Sequence, residues 1–450
     1  MGRRSRVSAL YAWMNDQYVG RWLVTSNGSH EFHYASEWLA SPAARPISLS
    51  MPLRLSEEPY RGPVVQAFFE NLLPENERIR QRLQARFGAA SAGAFDLLAE
   101  IGRDCVGALQ LTPTDQVQEG VKRIDGEPLT KQGIEKLLTN YLSAPMGQRA
   151  DVDDFRICIA GAQEKTALLR YQGQWLKPRG PTPTTHIFKL PIGRHSDIGI
   201  DLTTSVENEW LCQKIVAAYG IPVAHADMAW FGSHKVLVVE RFDRRYAADE
   251  SWLVRLPQED MCQATGTPPG LKYESDGGPS ITDIMRLLLG SRMAESDRLN
   301  FFKTQIVFWL LCAIDGHAKN FSIFLEPQSR FRLTPCYDVL SAYPILGHGS
   351  NQLAPEKLKM AMAVSGKNRH YRWRQIRLAH WQATAKQCGI AESVFDAMLE
   401  KIISETPKVI ESVNAKLPKD FPAAVSNPIL QGMKTAVTQL AQASGSLTQL

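Results

Sequence analysis

From Phe301 to Cys312 the chain reads FFKTQIVFWLLC, and from Phe321 it returns to apolar residues in FSIF. Apolar runs mark segments bound for the interior. Between them, AIDGHAKN places Asp315, His317, Lys319 and Asn320 within six positions. A polar cluster pinned between two such runs is either a hydrogen-bonded buried turn or a reaction site. Which of the two it is depends on the rest of the pattern.

Three regions follow from the periodicities. Residues 1–120 carry short strand-like pieces, YAWMNDQYVGRWLV and HEFHYA, and then helical spacing around VVQAFFENLLPENERIRQRLQARF. The polar stretch Thr112 to Glu127 reads as a linker. Residues 121–258 alternate β-rich runs (RICIA, KTALLRY, THIFKLP, KVLVVERF) with one helix, SVENEWLCQKIVAAYG, which Gly220 and Pro222 terminate. Residues 259–440 read as helical, interrupted by the hairpin FSIFLEPQSRFRLTP, and 441–450 as a small, polar tail that frays. This order predicts an α+β, two-lobed fold, a β-rich lobe ahead of a helical one, with a ligand cleft between them.

Composition narrows the class. The chain has 450 residues, 44% of them hydrophobic and 22% charged, which suits a soluble globular protein with a large core. No apolar run has the length of a membrane span. The basic start MGRRSR is followed by no apolar signal core, so a cytoplasmic location is expected. Seven scattered cysteines with no CxxC pair predict reduced thiols rather than a zinc cage or disulfides. The net charge of +5 permits an acidic partner without requiring one.

Several segments carry candidate chemistry. Asp315 and Asn320 stand in a D-x-x-x-x-N spacing, that of a kinase catalytic loop, where the aspartate takes the acceptor's proton and the asparagine holds metal. Asp338, after Tyr337 in TPCYDVLSAYP, ends a strand where a second metal carboxylate would stand, although Val339-Leu340 replace the usual Phe-Gly. Lys189 sits among apolar neighbours in THIFKLP, suited to gripping phosphates, with Glu207 or Glu209 as its partner. At the end of KVLVVERFDRR, Glu240, Arg241, Phe242 and Asp243 are candidates for adenine and ribose contacts. Ala160, Gly161 and Ala162 form a small-residue turn that would admit phosphates to the backbone. Each has a structural alternative: a turn-capping Asp315, an N-capping Asp338, a snorkelling Lys189, an ordinary strand end.

The wording of these segments goes further. DFRICIAGAQEKTALL, TPTTHIFKLPIG, VERFDRR, LPQEDMCQ, KYESDGGP, DGHAKNFS and LTPCYDVLSAYP, with FFENLLPEN and FDLLAEIGRDCVGAL nearer the start, resemble the HipA family of bacterial serine/threonine kinase toxins over nearly the whole chain. The resemblance implies a protein-kinase-like fold, ATP and Mg2+ as cofactors, and a type II toxin–antitoxin system. Asp315 would be the catalytic base, with Asn320 and Asp338 as magnesium ligands. Ala160, Gly161, Ala162, Gln163, Glu164 and Lys165 would form the phosphate loop, with Lys189 on phosphate. Glu240 to Phe242 would meet adenine, and His317, Ala318, Lys319 and Asn320 would complete the site. The implied partners are a HipB-like helix-turn-helix antitoxin, operator DNA through that complex, and glutamate–tRNA ligase as substrate. Family members commonly carry an autophosphorylated serine where this chain has Cys158. A thiol is no normal phosphoacceptor, so the brake is absent here, moved to a hydroxyl such as Thr166, or removed by an introduced change.

The run SGKNRHYRWRQIRLAH concentrates Lys367, Arg369, Arg372, Arg374 and Arg377 without an acid. It reads as a solvated basic helix face or a DNA-backbone contact. The family's DNA-contacting patch falls nearer ATAKQCGI, where Lys386 matches and Gly389 takes the place of a second cation. A catalytically silent nucleotide-binding corepressor and a small-molecule kinase are the rival functions.

Overall fold

The computed structural model describes residues 9–54, 58–116, 118–143, 163, 165–194 and 199–445. An antiparallel sheet opens the chain, in the order Tyr60–Arg61, His30–Tyr34, Gln17–Val24, Ala9–Met14, Leu109–Thr112. Helices Pro63–Glu70 and Ala94–Ile101 bury Phe68, Phe69, Leu97, Leu98 and Ile101 against it. Trp22 of the sheet stacks on Phe69 with ring centroids 3.9 Å apart. The apolar spacing after residue 63 makes two helices, not one, because Pro74 cannot continue the first. The second, Glu77–Phe87, starts where the Asn76 side chain accepts the N–H groups of Arg78 and Ile79. The bend between them, 71–76, carries polar residues toward the rest of the molecule.

The second sheet runs Ala226–Phe231, His234–Glu240, His186–Lys189, Lys165–Tyr171, Gln174–Pro178, Gly126–Leu129. Its last strand begins inside the stretch read as a linker: Gly126 and Glu127 pair with Pro178 and Lys177. Register sets Lys165 opposite Lys189 on adjacent strands. Helix Ser205–Ala218 packs against this sheet and is buried almost all round. It stops before Gly220, whose φ of +76° is open to glycine at little cost.

Helix Ala294–Leu310 forms the centre of the other lobe, burying Phe301, Phe302, Ile306 and Phe308. Helices Glu392–Asn414 and Ala423–Ser444 pack in the same core. In front of them a three-stranded sheet joins Gln258–Asp260, Ser322–Glu326 and Arg330–Leu333. The hairpin between the last two turns through Gln328 and Ser329, both at positive φ.

Two expectations change here. Lys359–Ser365 pairs with Arg369–Arg372, so the basic run lies on a β-ribbon and a short 3-10 turn rather than on a helix face. The apolar run Met360 to Val364 is wholly buried, and periodicity cannot separate a buried strand from a buried helix at that length. The terminal helix also continues to Ser444, into the expected tail. Cys105, Cys212, Cys262, Cys312, Cys336 and Cys388 are buried and unbridged. Among the described residues no helix is long and apolar enough to cross a membrane.

Candidate active site

A cleft of about 330 Å³ lies where the second sheet, the 315–320 loop and the 71–75 bend meet. Lys189 reaches into it from its strand with Nζ 2.7 Å from Glu209 Oε1 and 2.7 Å from Asp338 Oδ1. Of the two acids left open by the sequence, Glu209 is therefore the partner; Glu207 pairs with Lys235 instead. Burial alone would lower the Lys189 ammonium, but Asp338 and Glu209 outweigh it and hold it above the usual lysine range. Burial would likewise raise the Asp338 carboxyl, yet Lys189 and Lys165 overcome it and keep Asp338 well below the usual carboxylate range. Asp338 has φ +60°, a left-handed backbone uncommon for a non-glycine residue and frequent at functional sites.

Asp315 and Asn320 border the same cleft as Asp338. The Asn320 amide Nδ2 donates to the Asp315 carbonyl at 2.8 Å. That bond identifies the amide nitrogen and leaves the oxygen as the other end of the group. The Asp315 side chain is open to solvent on the cleft side, while burial by the protein behind it raises its pKa above the ordinary value. Tyr273 donates its hydroxyl to Asp315 Oδ1 at 2.6 Å. His317 lies edge-on to Tyr273, centroids 5.2 Å apart. Burial and the Lys272 charge push the His317 imidazole down to about 3, so it is neutral at physiological pH.

The donor set suits magnesium. One carboxylate, one amide oxygen and the oxygens of a phosphate chain make the sparse protein ligation that this ion favours. Among the described residues no group of three His, Cys, Asp or Glu forms a ready-made cage.

Other expected contacts are reassigned by geometry. Arg241 and Asp243 border the cleft, but their charges are committed elsewhere. Asp243 accepts Arg241 Nε (3.0 Å), Arg241 Nη2 (2.9 Å) and the Gly107 N–H (2.7 Å), and lies 3.1 Å from Arg244 Nη1. Buried charges need such partners, so the Asp243 carboxylate is not left for a ribose. Lys319 likewise spends its ammonium on Asp260 Oδ2 (2.7 Å), Asn71 Oδ1 (2.8 Å) and the Asn71 carbonyl (3.0 Å), a structural clamp rather than a free phosphate hook. Ala318 is fully buried and does not line the cleft. Glu240 is exposed at the strand end. The Phe242 ring stands 5.8 Å from that of Tyr337, whose hydroxyl is tied to Ser322 and the Lys319 carbonyl.

Gln163 and Lys165 border the cleft; Cys158, Ala160, Gly161, Ala162 and Glu164 lie outside the described residues. Thr166 is buried on its strand, opposite Phe188, and offers no accessible hydroxyl as a substitute acceptor. Lys386 is exposed at the end of helix Leu378–Gln387, and Gly389 has φ +69°, where a side chain would be strained.

Residues assigned no chemistry from the sequence also meet here: Asn71, Glu75, Asp260, Lys272 and Tyr273. They fall in FFENLLPEN, LPQEDMCQ and KYESDGGP. Those segments carried the resemblance but no recognisable catalytic spacing.

Residues 10–112 match the HipA N-terminal domain and residues 157–410 the HipA-like C-terminal domain. The protein Y4mE of Sinorhizobium fredii is 33% identical over 90% of this chain and 92% of its own. The serine/threonine-protein kinase toxin HipA of Shewanella oneidensis is 28% identical over 69% of each chain. A solved Shewanella oneidensis complex of HipA, HipB and operator DNA contains a chain with the same fold, at a TM-score of 0.77 and 22% identity over 97% of both chains. The chain thus belongs to the HipA family, and its α+β architecture is the family's two-lobed, kinase-like fold.

Proposed function

We propose that this chain is an ATP-dependent serine/threonine protein kinase acting in the cytoplasm as the toxin of a type II toxin–antitoxin pair. The observation that carries the reading is Lys189 held at 2.7 Å from both Glu209 and Asp338, in the cleft that also contains Asp315 and Asn320. A strand lysine, a helix glutamate and a metal-binding aspartate assembled together are what phosphoryl transfer asks of a kinase lobe.

Bound magnesium–ATP supplies the transferable phosphoryl group and neutralises charge as it moves. Asp315 accepts the proton of the acceptor hydroxyl, and its raised pKa suits that task. Asp338 and the Asn320 amide oxygen hold the metal. Lys189, fixed by Glu209, would orient phosphate beside Asp338, with Gln163 and Lys165 near the phosphates. His317 and Tyr337 line the nucleotide's walls, and the Glu240–Phe242 strand end takes the adenine. In functional terms, residues 1–120 form an N-terminal subdomain, 121–258 the nucleotide-binding part and 259–440 the catalytic helical lobe.

Glutamate–tRNA ligase is the proposed substrate. A helix-turn-helix antitoxin is the proposed partner, through which the chain reaches operator DNA, with Lys386 as a candidate phosphate contact. The HipA–HipB–operator assembly of the fold relative supports these partners. Incubation with labelled ATP and glutamate–tRNA ligase tests the assignment: transfer of label is expected. Its absence with every protein acceptor would favour the catalytically silent corepressor.

A second expectation concerns pH. Burial, then the charge of Lys189, draw Lys165 down to about 8. Phosphate beside it restores the ammonium, so nucleotide affinity falls as pH rises through that value, and binding there takes up protons. Calorimetry in buffers of different ionisation heat should show a buffer-dependent enthalpy near pH 8, much reduced at about pH 6, and none in Lys165→Met. Equal enthalpies in all buffers near pH 8 would contradict the assignment.

A further inference from the structure

The segment KYESDGGP, Lys272 to Pro279, is built into the cleft more firmly than a surface loop needs. Gly278 donates its N–H to the Tyr273 carbonyl at 3.0 Å. A Cβ at Gly278 would stand 2.1 Å from the Leu271 carbonyl oxygen, so only glycine closes this turn. Glu274 is buried and accepts the Ala363 N–H at 2.7 Å. The Lys272 carbonyl accepts the Ala318 N–H of the catalytic loop at 3.3 Å. The Lys272 ammonium meets Glu75 Oε2 at 2.5 Å, a residue of the N-terminal region. The Tyr273 side chain, fastened on both flanks, leans on His317 and donates to Asp315 Oδ1.

We infer that Tyr273 is the positioning residue of the transfer site: its phenol holds one oxygen of Asp315 and leaves the other for the acceptor hydroxyl, while the Lys272–Glu75 pair fastens it to the N-terminal region. The inference rests on Asp315 acting as the base. A phenol has one proton to donate. Spent on Oδ1, it fixes the carboxylate's rotation without touching nucleotide. The N-terminal region thereby becomes part of the catalytic apparatus, the Lys272–Glu75 pair adding to the Asn71 clamp on Lys319.

Initial rates of phosphate transfer from labelled ATP, with glutamate–tRNA ligase or water as acceptor, test this on the full chain. Tyr273→Phe keeps the ring against His317 and is expected to lower kcat by about tenfold to a hundredfold, the cost of a misplaced catalytic group. KM for ATP should stay within about twofold, since ground-state binding is untouched. In an Asp315→Asn background the same substitution should cost nothing more, because groups acting as one unit are not additive. Glu75→Gln should lower kcat in the same direction at an unchanged melting temperature. Wild-type transfer abolished by Asp315→Asn but unaltered by Tyr273→Phe overturns the inference alone. A Tyr273→Phe loss that appears equally in the Asp315→Asn background, or as a raised KM for ATP with a lowered melting temperature, overturns it as well, by showing a merely structural role. Full transfer retained by Asp315→Asn, or none from the wild type, overturns the base assignment and this inference with it.

Discussion

Asp315→Asn is expected to reduce phosphate transfer by about two to four orders of magnitude, the usual contribution of a positioned general base. The replacement keeps the size of the side chain and an oxygen for the Tyr273 hydroxyl, but removes the group able to accept a proton. In the proposed mechanism metal and nucleotide contacts fall to Asn320, Asp338 and Lys189, so nucleotide binding should persist. Stability should hold or rise slightly. Burial disfavours the ionised Asp315 in the folded chain and raises its pKa, and a carboxyl so raised costs stability at neutral pH; a neutral amide removes that cost. Filter-binding assays of transfer, run beside thermal melts, separate the two effects. A variant that transfers phosphate at the wild-type rate would remove Asp315 from the base role.

Arg241→Ala is expected to cost roughly 3–5 kcal/mol of folding stability, the penalty for breaking a buried ion pair from one side. Arg241 is 4% exposed. Its guanidinium donates to Asp104 (3.2 Å), Thr184 (2.9 Å), the Cys105 carbonyl (2.9 Å) and both oxygens of Asp243. It thus rivets the N-terminal region to the second sheet beside the cleft. Burial by itself would raise the carboxyls of Asp104 and Asp243, but Arg241 and Arg244 outweigh it and hold both below the usual range. The sign follows from linkage: carboxyls depressed in the folded state contribute stability above their unfolded pKa and lose it as pH falls below the ordinary carboxylate range. Urea denaturation at neutral and acid pH should therefore show the wild type losing this increment on acidification, with Arg241→Ala already lacking much of it at neutral pH. Arg255→Met should be far milder. Burial first draws the Arg255 guanidinium down to about 9. Among the described residues its Nε and Nη1 have no hydrogen-bond partner, and only Nη2 donates, to the Pro181 carbonyl at 2.7 Å. Similar midpoints for Arg241→Ala and the wild type would show that the network contributes little.

Much of this protein was readable along the chain. Their β-rich, apolar composition marked KTALLRY, THIFKLP and KVLVVERF as strands, and the stop at Gly220 closed the Ser205–Ala218 helix where expected. The spacing of Asp315 and Asn320, an aspartate at a strand end and a lysine in an apolar strand were local signals, and the fold brings those residues to one cleft. The buried run Met360 to Val364 was misjudged because a strand covered on both faces has no period to show.

Pairing across distance was not readable. Glu207 and Glu209 lie two positions apart on one buried helix, and only the packing of that helix against the sheet turned Glu209 to Lys189. Arg241 and Asp243 looked free for nucleotide until Asp104, 137 residues upstream of Arg241, arrived to share them. Lys319 is clamped by Asn71 across 248 positions, and Lys272 by Glu75 across 197. Residue order by itself determined the elements, the family and the chemical types available for phosphoryl transfer, because propensity and periodicity act over a few neighbours. Which charges remain free to act, and which are consumed in holding the lobes together, was decided by tertiary packing alone. A buried charge takes whatever partner the fold delivers, and no local pattern records that partner.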